Sequence, residues 1–579
     1  MSKKSKKPAA PAPAKKATTP GKPFPKRKAL IALALLLAGG LAVWKFWPQK
    51  QEGYRLGKMH GVEETLKAKN PLLQLLEASE TGIDFENVII ETTQNNFATN
   101  INIYNGGGVA VADVNNDNLP DLYFISSNGQ NKLYLNLGNF KFQDITKEAG
   151  LTSEEGFETF ATAVDINADG FMDFYVGRAG PFENKDRRNK LYINNGLSAG
   201  GKVTFTERSK EYGLDDLSAS TGAAFFDMDG DGDLDLYLLN YPKDPIFANK
   251  IETTNGPDGK PIPNLSPKDE LDSDRLYRND GNGKFTDVSK ENGVWNRGFG
   301  LSVSISDLNR DGAPDIYVAN DFLQPDRLYI NNGKGVFTDR LDEYIRHNTQ
   351  FTMGTDLSDF DNDGLVDIYA VDMMPANNYR HKTLKISNTN SLYLSLVQNG
   401  ITEPVTHNVL QRNNGNGTFS DLACQLGVFR TDWSWSGLLT DLDNDGLRDI
   451  YVTNGYRREI HHIDHAEFMK DFRNKKGNQE ILRQFKTLDE YLNSVPSYKV
   501  RDFIFQNKGD WQFEEKSGEW ATMKGTWSCG AAWVDLDNDG DLDLVANNLE
   551  DPAFIFKNLA REQGKGNYIQ AKLRGSPIN

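Results

Sequence analysis

Aspartates recur at fixed spacing along this chain of 579 residues. The densest copy is Asp535-Leu-Asp-Asn-Asp-Gly-Asp-Leu-Asp543, with the pattern D-x-D-x-D-G-x-x-D. In a tight loop the side chains of Asp535, Asp537 and Asp539 alternate and converge on one point. Gly540 supplies the left-handed backbone such a turn requires. The carbonyl of Asp541 and the carboxylate of Asp543 complete the shell. All of these are hard oxygen donors, which Ca²⁺ takes at six- to eight-fold coordination. The loop begins like an EF-hand, but the EF-hand's twelfth-place Glu is here Ala546, in an apolar run. The loop therefore exits into a β-strand rather than a helix.

The pattern occurs seven times. First positions are Asp113, Asp165, Asp227, Asp307, Asp359, Asp441 and Asp535. Third positions are Asn115, Asn167, Asp229, Asn309, Asp361, Asp443 and Asp537. The fifth is always Asp: Asp117, Asp169, Asp231, Asp311, Asp363, Asp445 and Asp539. The sixth is Gly except for Asn118, and Asn tolerates left-handed φ better than other side chains. The ninth is always Asp: Asp121, Asp173, Asp235, Asp315, Asp367, Asp449 and Asp543. Up to seven structural Ca²⁺ ions are expected, bound more tightly by the four loops with Asp at position three. The alternative is a set of metal-free Asp turns. A turn needs one or two such residues, whereas three or four carboxylates aimed inward repel.

The loops imply elements to hold them. Before each lies a strand A of small residues, as in Gly106-Gly-Gly-Val-Ala-Val-Ala-Asp113. After each lies an apolar strand B, with Tyr second in six copies, as in Leu236-Tyr-Leu-Leu239. Strand C ends on Asn, as in Leu328-Tyr-Ile-Asn331, and the Asn opens a Gly-containing hairpin turn. Strand D reads as Phe337-Thr-Asp339. Four strands repeated seven times predict an all-β, seven-bladed β-propeller, with a linear solenoid as the rival. The last repeat lacks strand D. Thr81-Gly-Ile-Asp-Phe85 reads as the spare strand that closes the ring and leaves no open edge. Asn70-Pro71 ahead of Leu72-Leu-Gln-Leu-Leu76 predicts a short capped helix.

Gly298-Phe-Gly-Leu-Ser-Val-Ser-Ile-Ser-Asp-Leu-Asn-Arg-Asp-Gly-Ala-Pro-Asp315 resembles an FG-GAP repeat, the calcium repeat of integrin α-chain propellers. The wider pattern resembles VCBS-repeat proteins of the cartilage acidic protein and UnbV type. Asn105-Gly-Gly-Gly-Val109, Asp372-Met-Met-Pro375 and Thr431-Asp-Trp-Ser-Trp435 carry that match. The resemblance implies a continuation into a small ASPIC/UnbV domain, and Asn567-Tyr-Ile-Gln-Ala-Lys-Leu-Arg-Gly575 looks like its first strand. The expected organisation is a disordered basic tail over 1–28 and an apolar anchor or signal segment over 29–47. A linker with a short helix follows over 48–80, then the propeller over 81–560 and the truncated C-terminal domain over 561–579.

The formal charge is −16, yet residues 1–50 carry eleven Lys, one Arg and no acid, which leaves −28 on the remainder. An acidic body argues against nucleic-acid binding. Lys26-Arg27-Lys28 ahead of the apolar run predicts a single membrane-spanning helix with the tail in the cytoplasm and the propeller outside. A cleaved signal peptide is the competing reading. Two cysteines, Cys424 and Cys529, exclude a disulfide framework and leave one bridge or two thiols open.

The long insertions are all B–C loops: Tyr241 to Asp274, Met373 to Asn408 and Gly455 to Asp502. They must emerge opposite the acidic loops. His461, His462, Asp464 and His465 suggest a transition metal, but only His461 and His465 share a helical face. Trp433 and Trp435 point to one side of a strand, to stack on a ligand or to pack between blades. Gly196-Leu-Ser-Ala-Gly200 matches a nucleophile motif by letter, but it falls in a hairpin rather than a strand-to-helix elbow. The reading is an extracytoplasmic binding module for an envelope or extracellular protein or glycan. The alternative is a polysaccharide-acting envelope enzyme with structural calcium.

Overall fold

The computed structural model describes residues 60–569, apart from 94, 98, 101, 153–155, 181–186, 243–248, 251, 258, 268, 386–389, 468–484 and 486. Seven four-stranded antiparallel sheets make the seven blades of a propeller. Six are continuous in sequence: 109–144, 157–207, 219–287, 300–339, 354–421 and 434–515. Blade 3 shows the order, with strand A Ala219–Phe226, B Asp235–Tyr241, C Arg275–Asn279 and D Phe285–Asp287. Strand B is buried along its whole length and carries a fully buried tyrosine in blades 1–6, for example Tyr237 and Tyr451. Strands A of successive blades face the axis, where their Gly, Ser and Thr residues line a cavity of about 290 Å³. Small side chains are what seven converging strands leave room for.

The seventh blade closes the ring, but not with the predicted segment. Ser528–Val534, Asp543–Asn548 and Phe554–Asn558 take their outer strand from Leu73–Leu76, antiparallel in the register Leu73 to Asn558 and Leu76 to Ile555. The predicted helix over 72–76 is therefore strand D, and the predicted strand at 81–85 is the link that follows it. A one-turn helix, Ala78–Thr81, ends on Gly82 at φ 83°, and Ile83 and Phe85 then turn into the core beside blade 1. Other links have the same form: Thr146–Ala149 before Gly150-Leu151, Ser209–Tyr212 before Gly213-Leu214, and Ala423–Leu426 before Gly427-Val428. The missed signal was this Gly-aliphatic pair, which places Thr81-Gly-Ile83 in register with the links. The helix was wrong because Leu72 to Leu76 meets an open strand edge, and backbone pairing there outweighs local preference.

The predicted membrane helix over 29–47 lies outside the described residues. Among the described residues, no helix is long and apolar enough to cross a membrane. The predicted strand at 567–575 lies mostly outside them too.

Candidate metal centre

Each A–B loop follows one path set by two left-handed residues. Position six has φ of 68° at Asn118 and 94° at Gly540, and the other five copies are also positive. Position four is left-handed as well, at Asn116, Ala168, Gly230, Arg310, Asn362, Asn444 and Asn538. The sequence had pointed only to position six.

The first carboxylate is fixed by the loop's own backbone. Asp113 Oδ1 accepts from the Asp117 amide at 3.0 Å and Oδ2 from the Asn118 amide at 2.8 Å. Asp165, Asp307, Asp359, Asp441 and Asp535 repeat this. Asp227 instead takes the amides of Gly230 and Gly232. Position five accepts one amide two residues on, as Asp117 does from Leu119 at 2.9 Å.

Position nine is the deepest. Asp121 Oδ2 accepts from the Val114 amide at 2.9 Å and Oδ1 from the Asn136 amide at 2.7 Å. Asp173, Asp235, Asp315, Asp367, Asp449 and Asp543 make the same two bonds. Burial pushes these acids up, to about 7 at Asp121, Asp173, Asp235 and Asp367, about 6 at Asp315 and about 8 at Asp449. Asp543 also rises well above the usual range. The amide bonds favour the charged form, but desolvation in the ion-free chain outweighs them.

Position three divides the loops. In three of them Asn115, Asn167 and Asn309 donate Nδ2 to Oδ2 of Asp117, Asp169 and Asp311, at 2.9 Å each. In the other four, Oδ1 of Asp229, Asp361, Asp443 and Asp537 is buried without a hydrogen-bond partner. In those four loops three carboxylates come within 4.8 Å of one another: Asp227, Asp229 and Asp235; Asp359, Asp361 and Asp367; Asp441, Asp443 and Asp449; Asp535, Asp537 and Asp539. Orphaned buried oxygens beside converging carboxylates form the donor set a hard divalent cation takes. The four loops with Asp at position three fit Ca²⁺ by donor type and placement.

The family model for an FG-GAP-like repeat matches residues 113–176, 165–238, 267–318 and 307–370. The chain carries FG-GAP-like repeats. It is 24% identical to mouse cartilage acidic protein 1 over 411 residues, 60% of this chain and 57% of that protein. Over 150 residues it is 37% identical to chicken integrin alpha-8, covering 23% of this chain and 14% of that one. The chain thus spans little more than half of the cartilage acidic protein and a small part of the integrin. A solved Agrocybe aegerita lectin that recognises non-reducing terminal N-acetylglucosamine gives a TM-score of 0.34 at 17% identity, over 71% of this chain and 80% of that one. That score carries no weight for fold or ligand.

Two further sets of FG-GAP repeat residues escaped the sequence reading. The Asn ending strand C does open the turn, since Asn331 Oδ1 accepts from the Gly333 amide at 3.0 Å. Its Nδ2 also reaches across to the preceding blade's loop, donating to Met228 O at 2.8 Å. Asn136, Asn194, Asn413, Asn507 and Asn558 make the equivalent bond, and Asn136 to Leu536 O joins blade 1 to blade 7. The second set lies five residues before that Asn. Asp274, Asp326 and Asp502 accept from the buried hydroxyls of Tyr237, Tyr317 and Tyr451, while Asn131, Asn189 and Asn408 donate to Tyr123, Tyr175 and Tyr369. Blade 7 has Val545 and Ala553 at these two places. The exchange within one chain was a readable signal of contact.

Trp433 stacks on Tyr456 with centroids 3.9 Å apart, and Trp435 donates its indole N–H to Gly455 O at 2.6 Å, so both pack inside. His462 and His465 are buried, burial lowers His461 to about 4, and among the described residues no cluster of metal-type ligands includes them. Cys424 and Cys529 are separate free thiols. Gly196 lies at the end of strand Lys190–Leu197, and Ser198 to Gly200 form the turn that leads to Val203–Glu207. At the insertion end, Arg380 holds Asp432 at 2.7 Å and Glu459 at 2.9 Å, while Arg458 holds Glu91 at 2.7 Å.

Proposed function

We propose that this propeller binds Ca²⁺ in its FG-GAP-like loops and uses the opposite end of the ring to bind an envelope or extracellular protein or glycan. The ligands are the carboxylates at loop positions one, three, five and nine, with Asn115, Asn167 and Asn309 standing in at position three. Bound Ca²⁺ supplies the positive charge these clustered acids lack, and so locks each A–B turn. The buried, partnerless Oδ1 at position three carries the metal assignment. The binding role follows from the similarity to cartilage acidic protein 1 and integrin alpha-8 propeller sequence, and from the insertions. The insertions interlock at one end: Leu384 bridges to His462, and a Cβ on Gly400 would meet Pro261 O at 2.6 Å. That end presents a composite surface drawn from three blades. The propeller stands outside the cytoplasm behind the basic tail and apolar segment.

Metal analysis of the chain purified without chelator tests the first half, with several equivalents of calcium expected. A glycan and envelope-protein binding screen on residues 53–579, with Ca²⁺ and with EDTA, tests the second. Binding unaffected by substitutions across all three insertions would sink the surface assignment.

A further inference from the structure

The residue before the strand-C Asn changes in step with loop position three. Where position three is Asn115, Asn167 or Asn309, that residue is Leu135, Ile193 or Ile330. Where it is Asp229, Asp361, Asp443 or Asp537, that residue is Arg278, Arg412, Gln506 or Lys557. The exchange holds in all seven blades.

The contacts show why. Arg412 Nε lies 2.6 Å from Asp361 Oδ2, and its Nη2 lies 2.6 Å from Asp363 Oδ2. Lys557 Nζ lies 2.7 Å from Asp537 Oδ2 and 3.8 Å from Asp539. Gln506 Nε2 donates to Asp443 Oδ2 at 2.8 Å, and Lys565 Nζ, 3.5 Å from the same oxygen, brings the missing charge. Arg278 pairs with Asp280 at 2.7 Å and reaches Asp229 only through its field. In the three contacting blades the strand-C group takes Oδ2, and Oδ1 is the atom left buried and free. The strand-C group therefore does two things: it orients the extra carboxylate and cancels its charge. The 359–367 loop, with four carboxylates and Arg412, has the same net charge as a loop with three carboxylates and Asn, whereas Asp233 and Asp541 add a fifth carboxylate to the 227–235 and 535–543 loops.

Resting on the calcium reading above, we propose that Arg412, Lys557, and Gln506 with Lys565 are built-in counter-charges that offset the position-three carboxylate and hold down calcium affinity in their loops. They are positioning residues that do not touch the ion. Carboxylate count alone predicts tighter binding by every loop with Asp at position three; the counter-charge instead brings the 359–367 loop level with the loops that carry Asn there. The logic is electrostatic: a fixed unit charge a few ångströms from a divalent ion opposes binding even at water-like screening.

Hydrogen exchange of peptides spanning each loop, across a calcium-buffer series, reads all seven sites separately in the full chain. The wild-type midpoint of the 359–367 loop should fall with those of the loops from Asp113, Asp165 and Asp307. Arg412→Met should lower the calcium midpoint of the 359–367 loop by on the order of tenfold and leave distant loops unchanged. Arg412→Lys, which keeps the charge, should hold the wild-type midpoint. Asp361→Asn with Arg412→Met, which recreates the pairing of blades 1, 2 and 4, should return close to it. Lys557→Met should act likewise on the 535–543 loop if the Arg412 variant does not fold. A wild-type 359–367 midpoint well below those of the three loops with Asn at position three would overturn the proposal, as would an unchanged or raised midpoint in both charge-removing variants. If no wild-type loop gains protection with calcium, the metal reading itself falls, and this proposal with it.

Discussion

Asn331 shows how much one side chain does in this ring. Its Nδ2 serves Met228 O in the preceding blade and Pro314 O in its own, its Oδ1 takes the Gly333 amide, and its backbone amide holds Asp315. Asn331→Ala takes the Nδ2 donor from the buried Met228 carbonyl, at about 1–3 kcal/mol, and from the half-buried Pro314 carbonyl at less. Urea unfolding should therefore show a loss of several kcal/mol. Asn279 is an internal control: its Nδ2 bonds only Leu234 O, within its own blade. Asn279→Ala should cost distinctly less. Equal losses would mean the inter-blade bond adds nothing.

At the scale of elements, closure depends on a strand far from its partner in sequence. Leu73 is fully buried in the core of the last blade, beside Trp520 and Phe556. Leu73→Ala should cost about 2–5 kcal/mol, as deletions of buried leucine side chains do. Val88→Ala, at a residue 44% exposed, should change little. Deleting residues 60–77 removes the pairing of Leu73–Leu76 with Phe554–Asn558 and opens a strand edge that templates association. Size-exclusion chromatography should show oligomers, and a deletion variant that stays monomeric with unchanged melting would refute closure by this strand.

For the whole molecule, the proposed calcium assignment makes stability depend on calcium and on pH. A cation that binds the folded loops and scarcely the unfolded chain adds about 2.7 kcal/mol for each site held at 100 times its Kd. EDTA should therefore lower Tm by many degrees. The pH sign follows from the ninth-position acids, whose folded values of about 6 to 8 lie above the ordinary carboxylate value. In EDTA the folded chain holds protons that the unfolded chain has lost, so stability declines as pH rises from about 4 to 8. His461 and His462, held low by burial, oppose this below their ordinary pKa, but buried acids elsewhere, Asp321, Asp372 and Glu459 among them, are raised too and act with the ninth-position acids. In EDTA, Tm should be higher at pH 5.5 than at pH 8. In Ca²⁺ the gap should narrow, because the cation favours ionised carboxylates in the loops, while Asp321, Asp372 and Glu459 keep their own pH dependence. A Tm in EDTA that falls on acidification across this window would contradict the assignment.

The sequence alone determined the seven loops, the order of four strands, the hairpin Asn and the propeller class, because each is local and repeated. A period-two strand or a left-handed turn needs no distant partner to be recognised, and the repetition averages out chance. Only the tertiary structure decided that Leu73–Leu76 closes the ring, because that strand is defined by an edge hundreds of residues away. The same holds for the reach of Asn331 into the preceding blade and of Lys565 onto Asp443. The division of labour at position three also needed the fold. Counting carboxylates treats Asp361 and Asp537 as extra ligands, whereas packing brings Arg412 and Lys557 against them. Charge acts through space, and sequence spacing did not measure that distance.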